Sequence, residues 1–256
     1  LSTDDAGGIA RLQLDPTKPN HITIVGRKGS GKSVLARRFW AGWPGDRLVI
    51  DPTGDVDAGE DAERLELPLP SRWPNNPLGD LEAVGGKPKR STLRYVPDMG
   101  ASTYVDDMDR AVGLAFTKGH ALLWVDEVGE LTNASSTPPH VRRLLHQSRH
   151  RKLSMLFCGP RPMDINPLVM SQADYIAVFR LPNPADRKRI ADVTGLDLGE
   201  LEDALAEAVS VDHGYVWYDV VAEELLICPP LPHRGPPPPS KDRFADDDGK
   251  NVTASM

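Results

Sequence analysis

Short, nearly continuous apolar runs punctuate this chain. They fall at Ile22–Val25, Leu48–Ile50, Leu93–Val96, Ala121–Val125, Leu153–Phe157 and Tyr175–Phe179. Runs so short and so uniformly apolar predict strands buried on both faces. Between them lie segments with helical spacing, at Lys32–Trp40, Val105–Thr117, Pro139–Arg149 and Asn166–Gln172. Two more helical segments follow the sixth strand, Ala185–Val193 and Leu198–Val209. Tyr215–Tyr218 and Glu224–Cys228 then predict a closing β-hairpin. Strand–helix alternation implies a mostly parallel central sheet flanked by helices on both sides. The connection Pro68–Lys89 is long and rich in Pro and Gly, which marks a functional or mobile loop.

Composition sets the outer limits of this domain. Residues 1–20 are polar and read as an N-terminal arm or edge strand, and residues 21–232 form the predicted domain. Residues 233–256 carry Pro236–Pro239 and Asp246–Asp248, too little apolar surface to offset ordering, so a disordered tail is expected. No apolar run is long enough to span a bilayer and no secretory signal opens the chain, so a cytoplasmic protein without a membrane partner is expected. The only two cysteines, Cys158 and Cys228, lack metal-ligand spacing and read as reduced, buried thiols. A net charge of −7 argues against an evenly basic nucleic-acid coat, but a local basic surface can still act alone.

Candidate chemistry begins where the first strand ends. Gly26-Arg27-Lys28-Gly29-Ser30-Gly31-Lys32-Ser33 satisfies the G-x-x-x-x-G-K-S spacing, with a strand leading in and a helix leading out. Glycines let the backbone wrap phosphate, and consecutive N–H groups make an anion nest at a helix N-terminus. The binding set therefore runs from Gly26 through Val34, with Lys32 on the β- and γ-phosphates of ATP and Ser33 on Mg²⁺. The strand Ala121–Val125 ends in Asp126 and Glu127. Asp126 would hold Mg²⁺ with Ser33, and Glu127 would polarise the attacking water. Adjacent acids of this kind favour a hydrolase over a nucleotide kinase. They point to the RecA-like (ASCE) class of α/β P-loop NTPases. Asp51, at the end of another strand, reads equally as a supporting group of this site or as the start of the turn Asp51–Gly54.

Several stretches in order resemble the HerA/FtsK superfamily of DNA-translocating ATPases. Val49–Asp55 looks like its "hDPxG[DE]" stretch, and Leu122–Glu127 like its acidic strand. Arg149–Phe157 looks like its "R-H-x-G-h" entry into the next strand. Arg161–Leu168, Ser171–Asp174 and Val178–Leu181 look like its "QRPxDIxPLxxSQADxxxxFRL" run, the most specific of these matches. The resemblance covers roughly residues 20 to 230. It implies a homo-oligomeric ring of five or six subunits, nucleotide between neighbours, and an arginine supplied in trans. Double-stranded DNA is the implied partner. Small size suits a phage DNA-packaging ATPase, which would dock on a phage portal or connector in the host cytoplasm. One departure stands out. The polar residue that senses the γ-phosphate in the family is replaced by Gly159 and Pro160, so the sensor is either missing or supplied elsewhere, with Arg161 the candidate.

The segment Arg142–Lys152 (RRLLHQSRHRK) contains no acid. On a continuous helix Arg142, His146 and Arg149 share one face. Arg149 or Arg151 reads as the trans arginine finger, as a DNA phosphate contact, or as part of a solvated basic face. Lys87, Lys89 and Arg90 read as a solvent loop or a channel lining, and Ser135–Thr137 is a weaker pore-loop candidate. His120, His140 and His213 read as ordinary histidines, and Trp40, Trp43 and Trp217 as packing residues. Besides a DNA translocase, two rival functions remain: a P-loop kinase, and an ATP-dependent phage assembly switch related to zonula-occludens-toxin-like proteins.

Overall fold

The computed structural model describes residues 18–74 and 90–231. The expected tail, most of the N-terminal arm, and Lys87 and Lys89 lie outside the described residues. The chain builds β1 (His21–Val25), α1 (Lys32–Gly42), β2 (Asp46–Ile50), β3 (Glu63–Leu65) and β4 (Thr92–Tyr95). It continues through α2 (Tyr104–Lys118), β5 (Ala121–Val125), α3 (Val128–Leu131) and α4 (Pro139–Gln147). Then follow β6 (Ser154–Gly159), α5 (Pro167–Ser171), β7 (Tyr175–Val178), α6 (Pro184–Thr194) and α7 (Leu198–Ala208), before the hairpin β8 (Tyr215–Asp219) and β9 (Glu224–Cys228).

The strands form one sheet in the order β3-β4-β2-β5-β6-β1-β7-β8-β9. Every pairing from β3 through β7 is parallel, and β7-β8-β9 is antiparallel. The sheet alternates its side chains between two cores. Leu122 and Trp124 of β5 enter one with Leu35, Phe39 and Trp40 of α1. Leu123 and Val125 enter the other with Met108 and Val112 of α2, Leu144 of α4, Ile190 of α6 and Leu201 of α7. Trp40, Trp43 and Trp217 are buried in packing, and Trp40 meets Trp124 edge-on at 5.9 Å.

Helix starts follow local chemistry. Asn166, Asn183 and Asp197 accept first-turn N–H bonds for α5, α6 and α7, and Pro139, Pro167 and Pro184 open α4, α5 and α6. Asp109 of α2 receives the amides of His140 and Val141, so α4 is capped from another element. Two elements escape the sequence reading. β3 has one buried residue in three, enough for an edge strand but too little to make a pattern. α3 has only four residues.

One expectation is corrected. The basic segment is not a continuous helix through Arg149. α4 stops at Gln147, and Arg149–Arg151 form a separate 3₁₀ turn closed by Lys152 at φ 50°. The turn carries the chain directly into β6, so Arg142, His146 and Arg149 do not form one helical face.

Candidate functional site

Because β1, β2, β5, β6 and β7 are parallel and in register, their C-terminal ends line one edge. Val25 pairs with Gly159 and Val178, Val125 with Phe157, and Ile50 with Val125. The segments that leave these strands are therefore neighbours: the Gly26–Ser33 loop, Asp51, Asp126-Glu127, Gly159 and Phe179. β6 stands between the loop-bearing strand β1 and the acidic strand β5.

The loop is bent by left-handed glycines and held from below by Phe179. A Cβ on Gly26 (φ +148°) would lie 2.5 Å from the Phe179 Cβ, and one on Gly31 (φ +107°) would lie 3.1 Å from its ring. Any side chain at either position would displace the loop. The Arg27 amide donates to the Arg180 carbonyl at 3.0 Å, which ties the crown of the loop to the end of β7. Gly31 is the N-cap of α1, and no side chain caps that helix. Its first-turn N–H groups and its positive dipole end thus face the loop interior, the arrangement that binds an anion. Lys32 is buried and its ammonium donates to the Arg27 carbonyl at 3.2 Å. Burial lowers its pKa, opposed by the charges of Glu127, Cys158 and Asp126. Ser33 and Val34 are exposed on the next turn, and Arg27, Lys28 and Gly29 on the crown.

The acids face this loop. Burial, and then the charges of Glu127 and Asp51, push Asp126 up to about 6, with Lys32 opposing. Burial also raises Glu127, again against Lys32. Glu127 has φ 50° and ψ 55°, a left-handed conformation uncommon for a side-chain-bearing residue. It occupies the N-cap of α3 without making a side-chain cap bond. The ordinary explanation for an acid at this point, helix capping, does not hold here, and the strained turn aims the side chain elsewhere.

Asp51 resolves into a structural role. It is fully buried, and its carboxylate accepts the amides of Gly54 and Val56 and the Thr53 hydroxyl. Arg94 closes the set with two donors at 3.1 and 2.6 Å. A Cβ at Gly159 would lie 2.8 Å from the Ile165 Cδ1, so a side chain there would require Ile165 to shift. Arg161 reaches the buried Asp186 at 3.5 Å.

Arg149 and Arg151 lie at the other end of the sheet, before β6. One five-residue strand separates the two ends, about 15 Å. Arg149 pairs with Asp174 at 2.6 Å, yet its side chain is 72% exposed. Arg151 donates to the Phe116 carbonyl at 3.0 Å and to the Thr117 carbonyl, finishing α2, with its guanidinium 5.7 Å from the Phe116 ring centre. Neither arginine faces the loop of its own chain. The sequence reading missed Phe179 and His213. Phe179 is one of many buried apolar residues in the sequence. His213 is brought beside Gly31 by the α7–β8 turn, and no spacing signals it.

This fold and loop define a P-loop NTPase. No protein-family model matches the chain. It is 24% identical over 233 residues to the DNA packaging ATPase P9 of Enterobacteria phage PRD1, covering 85% of this chain and 89% of that protein. Among solved structures it is similar to the genome packaging NTPase B204 of Sulfolobus turreted icosahedral virus 2 in complex with AMPPCP. That match has a TM-score of 0.62 at 18% identity, and covers 86% of this chain and all of B204. VirB4 of Thermoanaerobacter pseudethanolicus follows, with a TM-score of 0.57 at 10% identity over 86% of this chain and 93% of that one. Among the described residues no helix is long and apolar enough to cross a membrane.

Proposed function

We propose that this chain is the ATP-hydrolysing motor of viral genome packaging, which moves double-stranded DNA as a homo-oligomeric ring. The observation that carries the proposal is Glu127. It is a half-buried acid on a left-handed turn, caps nothing, and stands beside Asp126 and Lys32. A nucleotide kinase needs no such base. The likeness to P9 along 85% of the chain supports the packaging role.

The loop amides from Arg27 to Val34 hold the phosphates, and Lys32 neutralises charge on the β- and γ-oxygens. Ser33 and Asp126 would supply a hydroxyl and a carboxylate, an all-oxygen donor set that fits Mg²⁺. Held there, Mg²⁺ would supply Lewis-acid stabilisation of the charge that develops on the phosphate. Glu127 orients water in line with the γ-phosphorus and takes its proton. Burial raises its pKa, which makes its carboxylate a stronger base than that of an exposed glutamate. Arg149 is the stronger choice for the finger in trans, because Arg151 is engaged with the end of α2. Leaving Asp174 for a neighbour's γ-phosphate exchanges one charge pair for another. Docking on a phage portal or connector belongs to the same reading.

The test is the rate of phosphate release with and without long double-stranded DNA. DNA stimulation supports translocation, and transfer to a nucleoside monophosphate without free phosphate overturns it. One observation favours a second reading, an ATP-dependent assembly switch. Gly159 and Pro160 stand where the related ATPases carry a polar sensor, and neither has a side chain that can donate a hydrogen bond. Slow turnover that DNA does not change would select the switch.

A further inference from the structure

Next to the phosphate loop lies a cleft of about 300 Å³, lined by Lys32, Ser33, Val34, His213 and Leu231 among others. Neither Asp126 nor Glu127 borders it. A nucleoside triphosphate seated on the loop points its γ-phosphate toward Lys32 and the acids. The rest of the molecule must leave along the first turn of α1, past Ser33 and Val34. This cleft is the space it enters.

The lining is mixed, with Lys32 and Ser33 beside Val34, His213 and Leu231. Val34 is 38% exposed, an aliphatic side chain one residue beyond Ser33. Leu231, after the hairpin, is half-buried against the α1 core. His213 stands beside the loop, its Cβ 3.7 Å from where a Gly31 Cβ would lie. It holds φ 65°, a left-handed conformation set by the tight turn from α7 into β8. The turn is closely packed, since a Cβ on Gly214 would sit 2.0 Å from the Ala208 carbonyl oxygen. The turn fixes the backbone there, and the half-exposed imidazole borders the cleft with Asp212 3.5 Å from its Nε2.

We infer that His213 and Leu231, with Val34, hold the nucleobase of the bound nucleoside triphosphate, His213 by stacking its ring on the base. The inference rests on the nucleotide-hydrolase reading above and adds the elements that grip the base. It also links the α7–β8 turn and the segment after β9 to nucleotide occupancy.

Calorimetric titration with a non-hydrolysable ATP analogue and Mg²⁺, and separately with inorganic triphosphate, tests it. His213→Asn keeps a residue that tolerates the left-handed backbone but removes the ring. Leu231→Ser changes the opposite element without adding charge, so the test does not depend on one variant folding. Each substitution is expected to weaken the ATP analogue about tenfold, the lower range of stacking on a base, and to leave inorganic triphosphate binding unchanged. Analogue binding unchanged in both variants overturns the inference, as does an equal loss for both ligands. Wild-type protein that binds neither ligand removes the nucleotide-hydrolase reading itself. Wild-type binding of both, with unaffected variants, removes only the base site.

Discussion

At the end of the sheet where the parallel strands terminate, buried Lys32 stands with half-buried Asp126 and Glu127, all three shifted by burial and by each other. At the opposite end Asp174 accepts from Arg149 with one oxygen and from the His21 amide with the other, both fully engaged. His21 is buried there, with its Nδ1 donating to the Gln172 carbonyl, which can only accept. Burial, opposed by that bond and aided by the Arg149 charge, holds its pKa down to about 3. The same residue types thus do opposite work. One end gathers Lys32 and two acids beside the phosphate loop, and the other pairs Arg149 with Asp174 and ties β1, β6 and β7 together. Parallel strands cause the asymmetry, because only their C-terminal ends open into loops that converge on one cleft.

The largest expected effect would break this comparison. Arg149→Ala should reduce ATP turnover of an assembled ring roughly 10³–10⁵-fold while leaving ATP binding intact, the magnitude of a trans arginine finger. Steady-state hydrolysis beside equilibrium binding measures it. Unchanged turnover leaves Arg149 a purely structural partner of Asp174. Next, Glu127→Gln should lower turnover roughly 10²–10⁴-fold with nucleotide binding retained, read in single-turnover assays. A variant as fast as wild type removes Glu127 as the base.

Two stability predictions sharpen the contrast, because the ends titrate in opposite senses. His21 has a folded pKa below its unfolded value, so the unfolded chain binds the proton first as pH falls through about 6.5 toward 3. Acidification from pH 7 to 4.5 should therefore cost about 2–3 kcal/mol through His21 alone. Urea unfolding of wild type against His21→Gln isolates that part, and parallel pH profiles would refute it. Asp126 has a folded pKa raised to about 6, so its ionised form opposes folding at neutral pH. Asp126→Asn should be more stable than wild type by about 1–2 kcal/mol at pH 7.5, with the gain shrinking as pH falls through 6 toward 4. The same variant should lose Mg²⁺-dependent turnover. A less stable Asn variant would mean that Asp126 makes a structural contribution of its own.

Much of this was readable in the chain. The short apolar runs marked the buried strands because a strand covered on both faces admits no polar alternation. Edge strand β3 left no such mark, since Leu65 alone is buried. Gly26, Gly31, Lys32 and Ser33 were legible because a phosphate loop is local in sequence, and Asp126-Glu127 because they end an apolar run. Asp51 was ambiguous until its carboxylate was seen to close on Gly54, Val56 and Arg94.

Sequence by itself determined the strand–helix order, the phosphate loop and the paired acids, because each is a contiguous segment whose backbone demands restrict residue choice. Only tertiary structure decided that Phe179 supports the loop, that His213 stands beside it, and that Arg149 sits a strand's length away with Asp174. These pairs are far apart in the chain, and their meeting depends on register and packing of the sheet. The end of α4 at Gln147 belongs to the same group, since the chain must turn there to enter β6 between β1 and β5.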